Sequence, residues 1–155
     1  MVKTILLVDD DPVVLNCISD LLQRSGYTVI TEREASAALA RTDAGANFDL
    51  VITDYQMAGM DGLEFLCRFR QMRPAVPAIM LTGHGTLESY QKAIGLGATA
   101  CLPKPFKSRE LMCLVAFALG GAADAGVCGA STSQEAGLSS GREGGPARRM
   151  PAHRM

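Results

Sequence analysis

At 155 residues the chain has room for one domain of ordinary size, enough for a single core and too little for two comfortable ones. Fifteen Lys and Arg against sixteen Asp and Glu leave a net charge of −1, so no field of either sign points to nucleic acid or to a membrane surface. Cys17, Cys67, Cys101, Cys113 and Cys128 are odd in number and form no Cys-x-x-Cys pair, which argues against a disulfide framework or a zinc site and for reduced thiols in the cytoplasm.

In chain order, residues 4–8 form a first apolar run with strand character, and they lead into Asp9-Asp10-Asp11. The run is too short for a signal peptide. Asp11-Pro12 then places a capping carboxylate before a proline at the first helical position, and Val14, Ile18, Leu21 and Leu22 follow with helical spacing. A second strand is expected at 27–31, a helix at 34–41 and a third strand at 48–53. Asp61 and Glu64 have capping-box spacing ahead of a helix carrying Leu63, Leu66 and Phe69. The remaining elements are a strand at 78–81, a helix at 87–94, a strand at 98–102 and a helix at 108–119. That last helix is apolar around its whole circumference, so its outer face is expected to be covered by a partner, a second copy or the tail, yet it is too short to span a bilayer. From 121 to 155 the chain is rich in Gly, Ala, Ser and Arg and is expected to be a disordered tail after a domain at 1–120.

Strict β-α alternation predicts an α/β fold, a doubly wound parallel sheet with five strands and five helices. Right-handed crossovers bring all the carboxyl ends of such strands to one edge, where these sheets bind ligands. Four strands run into a residue suited to phosphate chemistry: Asp9 and Asp10, Asp54, Thr82 and Lys104. With strand order 2-1-3-4-5, Asp9, Asp10 and Asp54 converge across one crevice and the uninformative second strand falls at an edge. Two like charges about 4 Å apart repel by roughly 4 kcal/mol at an effective dielectric near 20, so the three carboxylates call for a cation. An all-oxygen site without His or Cys selects a hard one, and Mg²⁺ suits a site with few protein ligands. Lys104 adds a fixed positive charge, Thr82 a hydroxyl donor, and Asp54 is the expected nucleophile for phosphoryl transfer.

Val8-Asp9-Asp10-Asp11, Asp54 followed by Met57, Gly59, Met60, Asp61 and Gly62, then Leu81-Thr82-Gly83 and Lys104-Pro105-Phe106 resemble the receiver domain of two-component response regulators, over about residues 3–119. The resemblance implies a flavodoxin-like fold and a stand-alone signalling switch, not an enzyme acting on an external substrate. Asp54 would accept a phosphoryl group from a sensor histidine kinase. Asp9, Asp10, Asp54 and the backbone carbonyl of Gln56 would hold Mg²⁺, Thr82 and Lys104 would bind the phosphoryl group, and the Lys104-Pro105 bond would be cis. Output would pass to a protein partner through the face formed by the fourth helix, fifth strand and fifth helix, with homodimerisation through the fifth helix and no contact with nucleic acid or membrane. The chain departs from the family at Ala58, where proline is usual, and at Cys101, where a Tyr or Phe usually swings inward. Loop loosening is expected from the first and loss of aromatic readout from the second.

Other readings of the same residues are a phosphorelay shuttle and a phosphatase forming an aspartyl-phosphate. The phosphatase would want a second acid where Gln56 stands. A flavin-phosphate binder is disfavoured because Asp9-Asp10-Asp11 would repel the phosphate. His84, two residues past Thr82, is a candidate for influencing attack by water on the phosphoaspartate, whereas His153 has no expected role.

Overall fold

The apolar runs and amphipathic segments resolve, in a computed structural model that describes residues 2–83 and 86–120, into β1 (Thr4–Val8), α1 (Pro12–Arg24), β2 (Thr28–Glu32), α2 (Ala35–Asp43), β3 (Leu50–Asp54), α3 (Gly62–Met72), β4 (Ala78–Thr82), α4 (Leu87–Gly95), β5 (Ala100–Pro103) and α5 (Ser108–Ala118). All five strands are parallel, in the order β2-β1-β3-β4-β5. Every residue of β3 and β4 is buried, as two-sided helix cover demands, whereas the edge strand β2 is partly exposed.

Alternate residues along each strand serve opposite faces. Leu6, Val8, Val51 and Met80 join Ala38 and Leu39 of α2, Phe65, Leu66 and Phe69 of α3 and Ala93 of α4 in one cluster. Ile5, Leu7, Ile52, Ile79 and Leu81 join Leu15, Ile18 and Leu22 of α1 and Leu111 and Val115 of α5 in the other. Each such buried side chain contributes about 1.5–3 kcal/mol relative to an exposed one, so the two-sided sheet is the rigid frame from which the loops at its carboxyl edge project.

The caps form where the sequence signals them. The Asp11 carboxylate accepts from the N–H of Val13 at 2.9 Å, and that of Asp61 accepts from the N–H of Glu64 at 2.9 Å. Asp11 is thereby the cap of α1. Strand ends differ from expectation because ladder pairing, rather than hydropathy, sets them. β3 and β4 each include the polar residue expected to follow them, so Asp54 pairs with Leu81 and Thr82 with Pro103 within the sheet. β2 starts at Thr28, and β5 is confined to Ala100–Pro103.

α5 buries Leu111, Cys113 and Val115 and leaves Phe117 59 % exposed. Cys17, Cys67 and Cys101 are free thiols, in line with the reduced state expected of them. Among the described residues no helix is long and apolar enough to cross a membrane. The tail expected at 121–155 and the candidate His84 lie outside the described residues.

Candidate functional site

The carboxyl edge of the sheet collects the expected side chains. Asp9 and Asp10 follow β1, Asp54 ends β3, Thr82 ends β4 and Lys104 follows β5. Asp9 is wholly buried, Asp54 is 7 % exposed and Asp10 is half-buried. Each of the three offers an oxygen within 4.8 Å of the others, the one acidic cluster of this kind among the described residues. The Lys104 ammonium reaches into it, 3.1 Å from Asp54 Oδ1 and 3.4 Å from Asp9 Oδ2. Asp9, Asp10, Asp54 and Lys104 are therefore brought together as expected. Thr82 is buried at the same edge, and its carbonyl accepts from the Lys104 N–H at 2.7 Å, which fixes where the lysine leaves the sheet. Gln56 lies two residues beyond Asp54 in the β3–α3 loop and is exposed. The Lys104-Pro105 peptide bond is cis.

Backbone donors orient the acids. Asp9 Oδ1 accepts from the Asp11 N–H at 2.9 Å, and Asp10 Oδ2 accepts from the Ala58 N–H at 3.0 Å. The Tyr55 N–H is shared between Leu81 O at 2.7 Å and Asp54 Oδ1 at 2.9 Å. Burial, and then the charge on Asp9, raise the Asp54 carboxyl above its ordinary value, although Lys104 and the Tyr55 N–H pull it back. Burial alone would lower the Lys104 ammonium, but attraction to Asp54 and Asp9 outweighs it and the net direction is upward. The site is thus an over-anionic pocket with one cation already inside. Its donor set, carboxylates without imidazole or thiolate, fits a hard divalent ion, and the spread of the three oxygens is compact enough for one ion to draw them together.

Two contributors escape a reading of side-chain chemistry. Gly62 at the start of α3 donates its N–H to Tyr55 O at 2.8 Å, and a Cβ there would overlap Asp54 O and lie 2.9 Å from Tyr55 Cα. The available signal is a glycine at the first position of a helix, where glycine is otherwise disfavoured. The Ala58 amide leaves no signal in its side chain.

Cys101 on β5 is opposite Met80 and packs against the cluster under α2, α3 and α4. Burial pushes its thiol up to about 11. Burial and then Cys101 also raise the Tyr90 phenol of α4. At pH 8.5 iodoacetamide is expected to modify the exposed Cys17 and Cys67 well before Cys101, because the thiolate is the reactive form. Peptide mapping that found Cys101 labelled first would contradict this assignment.

Known proteins with this arrangement are numerous. The response regulator receiver domain profile matches residues 5–116. The nitrogen assimilation regulatory protein NtrX of Azorhizobium caulinodans is 36 % identical over 121 residues, which are 77 % of this chain and 26 % of that protein. FixJ of Bradyrhizobium diazoefficiens is 32 % identical over 74 % of this chain and 56 % of its own length. The chain thus spans about a quarter of the first relative and about half of the second. A CheY-like receiver domain protein from Methanospirillum hungatei superposes with a TM-score of 0.73 at 32 % identity, covering 77 % of this chain and 94 % of that one. With the acids, the lysine and the sheet order all in the arrangement the motifs anticipate, the chain belongs to the response regulator receiver domains, the signalling domains of two-component systems.

Proposed function

We propose that Asp54 is the phosphoacceptor, taking a phosphoryl group from a phosphohistidine of a sensor histidine kinase. The observation that carries this reading is the Lys104 ammonium held 3.1 Å from Asp54 and 3.4 Å from Asp9, a fixed positive charge beside a nucleophile anchored in the ladder. A carboxylate oxygen of Asp54 attacks phosphorus as the P–N bond breaks, and the departing imidazole takes its proton from solvent. Lys104 exchanges its carboxylate partners for phosphoryl oxygens, and the Thr82 hydroxyl donates to another. Asp9, Asp10, Asp54 and the backbone carbonyl of Gln56 would hold Mg²⁺. The ion, when bound, neutralises the charge gathering on the transferring group. The chain acts on its own Asp54 and not on an external substrate.

The donor must approach closely, so its protein docks around the crevice. An apolar groove of about 520 Å³ beside Lys104, lined by Val13, Cys17, Leu21, Gly83 and Phe106, supports that approach from the α1 side. Output leaves through the α4–β5–α5 face; Leu87 and Ile94 of α4 and Phe117 of α5 are large apolar residues more than half exposed. α5 also supplies a homodimer face. Residues 1–120 make up the receiver, with 121–155 as an appendage to it.

Incubation with acetyl phosphate and Mg²⁺ is expected to add one phosphoryl group by intact mass. The gain should disappear when Mg²⁺ is withheld and in Asp54→Ala. A gain that survives in Asp54→Ala would overturn the site assignment.

A further inference from the structure

Ala58 has no functional group in its side chain, yet its backbone N–H donates to Asp10 Oδ2 at 3.0 Å and joins the β3–α3 loop to the end of β1. Asp10 is the most exposed of the three acids, and repulsion from Asp9 and Asp54 favours its swinging out into water. The amide holds it inward. It does so through Oδ2, so Oδ1 and the remaining lone pairs are available to a cation. With this bond made, oxygens of all three acids already lie within 4.8 Å of one another. The hydrogen bond and the clustering of the three acids therefore coexist. The same loop carries Gln56 two residues earlier, so pinning Ala58 also limits the travel of that carbonyl.

We propose that the Ala58 amide is a positioning donor for Mg²⁺: it orients Asp10 as a ligand and, through Asp10, ties the β3–α3 loop to the acidic crevice. The inference rests on the reading that the acidic crevice holds Mg²⁺. Donors that orient a metal's ligands are typically worth about 10–100-fold in affinity.

Calorimetric titration of the full chain with MgCl₂ tests it. Ala58→Pro, which deletes the donor, is expected to weaken Mg²⁺ binding about tenfold or more, while Ala58→Ser, which keeps it, retains the wild-type affinity. In an Asp10→Ala background Ala58→Pro should make no further difference. A wild-type chain that binds no Mg²⁺ sinks the metal reading itself. A wild-type chain that binds, with Ala58→Pro binding equally or more tightly, overturns only the amide proposal.

Because proline can disturb folding, a second measurement uses the unmodified loop. By NMR, the Ala58 amide of the Mg²⁺-free chain should be protected from hydrogen exchange, lose that protection in Asp10→Ala, and keep it when Mg²⁺ is added to the wild type. Loss of protection on adding Mg²⁺ would show that bond and ion compete, and would overturn the proposal.

Discussion

Gly62→Ala is expected to lower stability by about 3 kcal/mol, read as a fall of roughly 10–15 °C in melting temperature. The added Cβ would overlap the carbonyl oxygen of Asp54 and approach Tyr55 Cα to 2.9 Å. Backbone cannot rotate aside as a flexible side chain can, so either α3 lifts from the end of β3 or β3 bends. Both movements strain the Gly62 N–H to Tyr55 O bond of 2.8 Å and displace the residue on which the site depends. Phosphorylation by acetyl phosphate should slow at temperatures where the variant is still folded. A variant with wild-type melting temperature and rate would show that the first turn of α3 is free to adjust. The comparison glycine is Gly45, where a methyl would meet no atom within 4 Å but φ is +104°; alanine there is strained by backbone conformation instead of by a neighbour.

Lys104→Met separates charge from packing, since methionine keeps much of the alkyl stem. In Mg²⁺-free buffer at neutral pH the variant is expected to lose on the order of 2–3 kcal/mol, because Asp9 and Asp54 are left buried and facing each other without the ammonium. Asp54 already lies above its ordinary value of 3.8 in the folded chain. A carboxyl raised on folding contributes stability that is complete below its unfolded value and is lost as pH rises through the folded one. Removing the lysine raises Asp54 further, so the deficit relative to wild type should be small near pH 3 and grow toward neutrality. Added Mg²⁺ should restore much of it. Denaturant melts of both chains at several pH values, with and without Mg²⁺, measure these differences. A deficit independent of pH and of Mg²⁺ would mean that Lys104 stabilises by packing alone.

The fold was largely legible because the pattern that encodes it is coarse. Five apolar runs alternate with helical spacing, and this is enough to demand a parallel sheet covered on both faces. Asp9, Asp54 and Lys104 were legible for the same reason: each stands at the end of such a run, and a parallel sheet gathers those ends. The strand limits were not. Asp54 and Thr82 are polar, so hydropathy places them after their strands, whereas pairing with Leu81 and Pro103 keeps both within the ladder. Gly62 stands in the motif and Ala58 departs from it, but both act through backbone contacts, and neither residue type announces which backbone or carboxylate atom it meets.

The Tyr55 N–H is bound to Leu81 O and the Lys104 N–H to Thr82 O, each at 2.7 Å, so the residues flanking the reactive groups are held by the same bonds that knit β3 to β4 and β4 to β5. Segments of this kind open only with the most stable unit of a protein, while caps and surface loops fray earlier. Competence at this crevice should therefore persist through partial melting of the periphery and vanish in one step with the sheet, giving the switch a sharp thermal limit rather than a gradual decline.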